Sequence, residues 1–304
     1  MDNREKEKLM EEKQRNLVLA FCPPVIYVLV TMFVQVVFDI SIFLKNIKNI
    51  NGHGSASFYD SYRFMDNLNE SMDEYGYIVT LLSALLGGIF FGLWYRKNRN
   101  QENKEKFEKE LWILEGKEYG LLALLGIFAG LGLGRFVSLL SIDNILGSYK
   151  ETSENLMRGS VSLQILTLAI IVPIAEELIY RGISFGKLRK IMSPGYATIA
   201  VSVLFGVFHF NLMQGTYAFL LSLILVCVYL RYDSITAPIV VHGAANFMAV
   251  ILNGSEVQKN INENMVVYLL VMFVELALGY IVFQFIMEGR HEKNQKAKKN
   301  KKKY

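Results

Sequence analysis

Eight stretches of this chain are apolar over the length that crosses a bilayer, and this limits the possible folds more than any other feature. A hydrocarbon core takes roughly 20 helical residues to cross. Such stretches fall near residues 17–38, 77–95, 119–140, 160–180, 195–212, 215–231, 235–252 and 265–287. Within lipid a backbone has no water to bond, so only helices and closed barrels can span it. The expected fold is therefore all-α, a polytopic membrane protein with about eight transmembrane helices. Composition agrees: 52% of the residues are hydrophobic and only 5 of 304 are proline, with a mean hydropathy of +0.29, too apolar for an ordinary soluble domain.

Positive charge sets the expected orientation, because cytoplasmic connections collect Lys and Arg. Residues 1–16 hold five such residues, 96–118 seven, 181–190 four and 288–304 eight, with Arg231 at a further turn, which makes 25 of the 32. The opposite connections hold only Lys45, Lys48, Arg63, Lys150, Arg158 and Lys259. Both termini are thus expected in the cytoplasm. The basic tail and the net charge of +4 predict contact with anionic lipid headgroups, not with nucleic acid. A first span that follows sixteen charged and polar residues, without a small-residue cleavage pattern, reads as a retained helix. Cys22 and Cys227 both fall within expected spans, which leaves no disulfide framework and no cysteine metal cluster. Lys, Asn and Ile richness without an organelle signal points to a bacterial plasma membrane.

The chain divides into a charged N-terminus at 1–16, helices one to three at 17–158 with a polar outer loop at 45–76, five helices at 159–287, and a basic tail at 288–304. The outer loop is long enough to be an ordered lid. Gly126, Gly130 and Gly134 form a small-residue ridge on the third helix, read as a packing surface.

Nearly all the intramembrane polar chemistry lies between 160 and 252. Ionisable groups within a span cost about 2.5–3.5 kcal/mol each on insertion scales, so each needs a partner or a task. The fourth span ends in IVPIAEELIYRG, with Glu176, Glu177 and Arg181; the fifth ends in FGVFHF, with Phe205 and His209; the seventh contains VVHGAANF, with His242 and Asn246. Glu177 and Arg181 are four apart and can pair on one helical face. Glu176 is rotated by about 100° and left to face another helix. Pro173 removes an amide donor and can bend the helix just before the pair, opening a pocket. His242 and Asn246 share a face, and Gly243, Ala244 and Ala245 keep that helix slim. A carboxylate withdrawn from water is a better base, and His and Asn can donate to an oxyanion, so the set forms a hydrolytic kit. Counted along straight helices, Glu176 and His242 each lie roughly 17 Å from the basic residue marking their end, while His209 lies about 22 Å from Pro194, so the fifth helix must tilt or begin beyond the surface if the three are to meet.

The order EExxxR, FxxxH and HxxxN on successive late spans resembles the CAAX protease and bacteriocin-processing family of intramembrane glutamic endopeptidases, which includes the Ras-converting CAAX protease. The resemblance covers about 160–250, with Glu176, Glu177 and Arg181 in the first motif, Phe205 and His209 in the second, and His242 and Asn246 in the third. It implies an eight-helix core in which Glu176 and His209 hold and activate water, His242 and Asn246 receive the oxyanion, and Glu177, Arg181 and Phe205 give structural support. The implied activity is hydrolysis of a peptide bond near the cytoplasmic membrane face, on a CAAX-like or small peptide precursor or another membrane-tethered substrate.

Three other readings of the same residues compete. Zinc held by Glu176, His209 and His242 is possible in principle; without an HExxH pair, water activated with no metal or other cofactor is preferred. A non-proteolytic scaffold or bacteriocin-immunity-type protein would use the same fold to hold a membrane partner, but has no need of an unpaired Glu176. A transporter would also bury carboxylates, yet no internal repeat is present. Among the remaining charges, Asp39 is expected at the interface, Arg135 to snorkel or pair, and Glu275 to be structural without an evident partner.

Overall fold

A computed structural model describes residues 2–50, 58–102, 114–140 and 160–301. Among them every regular element is a helix. These are α1 (Asn3–Ile50), α2 (Phe58–Glu102), α3 (Gly116–Leu139), α4 (Val161–Leu188), α5 (Pro194–Val207), α6 (Leu212–Tyr232), α7 (Thr236–Leu252), α8 (Glu256–Glu263) and α9 (Met265–Lys301). All eight expected apolar segments are helical, and the chain is a polytopic α-helical membrane protein. Among the described residues six helices are long and apolar enough to cross a membrane, or seven if α7 and α8, bent by 85°, count as one broken span, against the eight or so expected. The fifth is the exception: α5 has only 14 residues, about 21 Å at 1.5 Å per residue, short of a hydrocarbon core of about 30 Å. Residues 45–50 and 58–76, expected in the outer connection, instead continue α1 and α2; 51–57 lie outside the described residues.

The helices sort into those that face lipid and those that do not. In α1, α2 and α9 only 17–28% of the most apolar window is buried, against 44% in α3, α4 and α6. Phe33, Ile89, Leu93, Phe273 and Phe285 accordingly project outward, as they should where the solvent is hydrocarbon. One apolar core joins α1, α2, α4, α5 and α6 around Phe91, Ile179, Phe185 and Phe205; the other joins α3, α6, α7 and α9 around Leu122, Leu125, Leu225 and Val241.

Small residues set the helix spacing, because packing in lipid gains little from hydrophobicity and much from close approach. A Cβ on Gly126 would collide with the Val241 carbonyl, and one on Gly130 would come within 2.6 Å of Ala245 Cβ, so the expected ridge does pack, against α7. Gly132, on another face of α3, lies against Leu276 of α9. Gly134 has nothing within 4 Å. At the tight end of the α5–α6 hairpin Gly206 and Gly215 meet backbone to backbone, each with its Cβ position 2.7 Å from the other's carbonyl oxygen. Gly126→Val should therefore lower stability in detergent by about 1–3 kcal/mol through overpacking, whereas Gly134→Ala should change it by no more than about 0.5 kcal/mol; thermal melting of the two purified variants checks the contrast.

Candidate functional site

Glu177 and Arg181 lie on α4 with side chains wholly out of solvent, and Arg181 Nη1 donates to Glu177 Oε1 at 3.0 Å. The pairing expected from their spacing is present, and the fold adds to it. Arg181 Nη2 donates to Ser222 Oγ at 2.7 Å and to the Ser222 carbonyl at 3.3 Å, tying α4 to α6. The guanidinium carbon stands 4.8 Å from the ring centre of Phe205 on α5, a cation–π contact that is stronger where water is absent.

His242 lies between the two glutamates. Its Nδ1 is 3.0 Å from Glu177 Oε1 and its Nε2 is 3.6 Å from Glu176 Oε2. The carboxylate can only accept, so Nδ1 carries the hydrogen. That bond turns Nε2 toward Glu176, which keeps 15% of its side chain exposed while Glu177 keeps none. The 100° offset of Glu176 thus aims it at α7, as a rotated neighbour of a paired residue should be.

Phe205 is the hub around which the motifs meet. Its ring packs edge-to-face on Tyr180 at 4.8 Å, His209 at 5.0 Å and His242 at 5.8 Å. His209 lies just past the end of α5, before Phe210, whose φ of 53° turns the chain. Its Nδ1 faces the Phe205 carbonyl at 2.6 Å, so Nδ1 again carries the hydrogen and Nε2 is the free edge. Among the described residues no hydrogen bond or ion pair joins His209 to Glu176; the two histidines instead flank one ring. Contact between Phe205 and His242 brings the last turn of α5 to the middle of α7, in spite of the mismatch in rise counted along straight helices.

Asn246 Nδ2 donates to the Leu168 carbonyl of α4 at 2.8 Å. Leu168 belongs to a π-helical turn, Ile165–Ile171, and a second, Leu178–Phe185, surrounds Arg181; such turns are frequent at functional sites. Asn246 and Leu168 also line a cavity of about 480 Å³ together with Gly134, Arg135, Tyr217 and Tyr268. Glu176 and His242 do not line it.

Three further contributors, Ser222, Tyr27 and Tyr180, had no sequence signal, and for Arg135 and Glu275 the sequence did not show the pairing. Ser222 is an ordinary small polar residue until the fold sets it on Arg181. Tyr27 of α1 and Tyr180 lie within electrostatic range of Glu176. Arg135 and Glu275, 140 residues apart, are partners: Nε donates to Oε2 at 2.9 Å, while Nη2 donates to Gln258 at 3.0 Å. Among the described residues no three His, Cys, Asp or Glu side chains are grouped so as to hold a metal ion.

Comparison with known proteins points to the same part of the chain. Residues 158–248 match the model of the family described as type II CAAX prenyl endopeptidase Rce1-like. That stretch is similar to the Rce1-like family of CAAX proteases, and it contains every motif residue named above. The protein of Bacillus subtilis (strain 168) described as "Putative membrane peptidase YdiL" is 32% identical over 112 residues, 34% of this chain and 43% of its own length. The chain thus spans less than half of that relative. No solved structure matches the chain.

Removing one member of a buried ion pair leaves the other charge uncompensated at about 3–5 kcal/mol, whereas replacing both can be neutral. Arg181→Met alone should therefore prevent recovery of folded protein, and the double variant Glu177→Gln with Arg181→Met should recover much of the loss; size-exclusion profiles and melting temperatures in detergent measure both.

Proposed function

We propose that this protein is a multi-pass membrane endopeptidase in which Glu176 is the general base that activates water. The observation that carries this reading is the division of labour between adjacent carboxylates. Glu177 is committed to Arg181 and to His242 Nδ1, and Glu176 is left partly exposed opposite His242 Nε2. With Nδ1 donating to Glu177, Nε2 stands 3.6 Å from Glu176 Oε2, beyond direct hydrogen-bond length. A water donating to both would bridge them, and this is the water that Glu176 would deprotonate for attack on a peptide carbonyl. His209, whose Nε2 is likewise an acceptor, would keep its implied role through a second water, since the first spends both of its hydrogens on Glu176 and His242.

As the tetrahedral oxyanion forms, the proton held by Glu176 can pass to His242 Nε2, which then donates toward the oxyanion and gives the proton up to the departing amine nitrogen as the peptide C–N bond breaks. The Nδ2 hydrogen of Asn246 not engaged with Leu168 is a second donor. The positive-charge asymmetry supports placing both termini and the Arg181 end of α4 on the cytoplasmic side. Substrates would be peptides or membrane proteins with a cleavable bond near that face, a C-terminal prenylated cysteine peptide being the first to try. The absence of an HExxH pair from the sequence is the ground for proposing a reaction without metal.

Purified protein should cleave a quenched peptide set containing prenylated and plain C-terminal cysteine peptides, with chelator making no difference. Glu176→Gln should lower kcat by about 10²–10⁴-fold while leaving the melting profile unchanged. Equal cleavage by wild type and Glu176→Gln sinks the mechanism, loss with chelator points to metal, and a cellular function that survives Glu176→Gln points to a scaffold.

A further inference from the structure

Pro173 lies at the end of the π-helical turn Ile165–Ile171 of α4, three residues before Glu176. In this turn hydrogen bonds run five residues back, and the Val172 amide goes to the Thr167 carbonyl. The next bond in the series would run from residue 173 to Leu168. Proline has no amide hydrogen, and Val172, the other amide within helical reach, is already engaged. The Leu168 carbonyl is therefore orphaned by the backbone, part-buried within a membrane helix at the edge of the cavity it lines.

A side chain from another helix supplies the missing donor. Asn246 Nδ2 meets the Leu168 oxygen at 2.8 Å. Three residues earlier on α7, Gly243 admits the helix to this approach, since a Cβ there would come within 2.6 Å of the Ala169 carbonyl oxygen. One residue before that, His242 reaches Glu176 and Glu177. The same face of α7 that touches the two carboxylates thus also closes the gap left by the proline.

The structure assigns Asn246 a positioning role: it closes the backbone gap at Pro173, holds the bend of α4 against α7, and so sets the distance between Glu176 and His242. Asn246 and Pro173 form one device. The proline creates the break that lets the helix depart from α geometry just before the carboxylate pair, and the asparagine keeps that break in a single arrangement. The catalytic half of this assignment rests on the reading of Glu176 as the base; the contact itself does not.

The test is a double-mutant cycle. Asn246→Ala should lower the melting temperature by about 2–4 °C, through a carbonyl left without its donor, and lower kcat by about 10²-fold, through displacement of the base, with a smaller change in KM. Pro173→Ala restores an amide hydrogen that can reach Leu168 or Ala169 along the helix. In that background Asn246→Ala should cost much less, in both melting temperature and kcat, than in the wild type. Additive losses in both would overturn the assignment. Recovery of the melting temperature without recovery of kcat would overturn the positioning role in catalysis and leave Asn246 as an oxyanion donor alone. Should Asn246→Ala not be recoverable from membranes, Asn246→Ser in the same two backgrounds makes the same comparison. If the wild type cleaves no peptide, the melting-temperature cycle still decides the contact, so failure of the proteolytic reading and failure of this inference are separable.

Discussion

Arg181 carries a full positive charge to a place where none of its side chain meets solvent, and the arrangement around it follows from the need to hold that charge. Its guanidinium is shared among three helices: Glu177 one turn back on α4, Ser222 on α6, and the ring of Phe205 on α5. Glu177 passes the constraint on by accepting from His242 of α7 through the oxygen that already accepts from Arg181. One buried cation thereby fixes the rotation of an imidazole on another helix. The strength of each link comes from the low dielectric around it, and the same low dielectric makes any missing member costly.

Regular α-helices would not place these groups together. The π-turns of α4 on either side of Val172–Glu177 shift the angular positions of residues across the break. The paired glycines of α5 and α6 let a 14-residue helix return beside its successor and present Phe205 and His209 inward. Close approach of α7 to both α3 and α4 depends on Gly126, Gly130 and Gly243. What looks like a set of motifs along the chain is, in space, a set of thin places where backbones come near enough for short polar side chains to reach across.

A second buried cation does for the other core what Arg181 does for the site. Arg135 joins α3 to α9 through Glu275 and to α8 through Gln258, and its own carbonyl accepts from Tyr268 at 2.8 Å. This holds α8 and α9 against α3. It also bounds the cavity that reaches inward to Asn246.

Much of this was legible along the chain. Span-length apolar runs determined an all-helical membrane protein, because a backbone in lipid must satisfy itself. The spacing of Glu177 and Arg181 determined their pairing, because four residues is one helical turn, and the same geometry left Glu176 turned away from the arginine. Pro173 announced a break. What completes each of these was decided only by tertiary structure: which histidine meets Glu176, that Glu275 belongs to Arg135, that α5 runs for only 14 residues, and that Asn246 answers Pro173. The reason is common to all four. Periodicity within a helix is a local property of the chain, whereas a partner across helices depends on where glycines allow two backbones to approach and on how far a helix is bent, and neither distance is written in the spacing of residues along one strand of sequence.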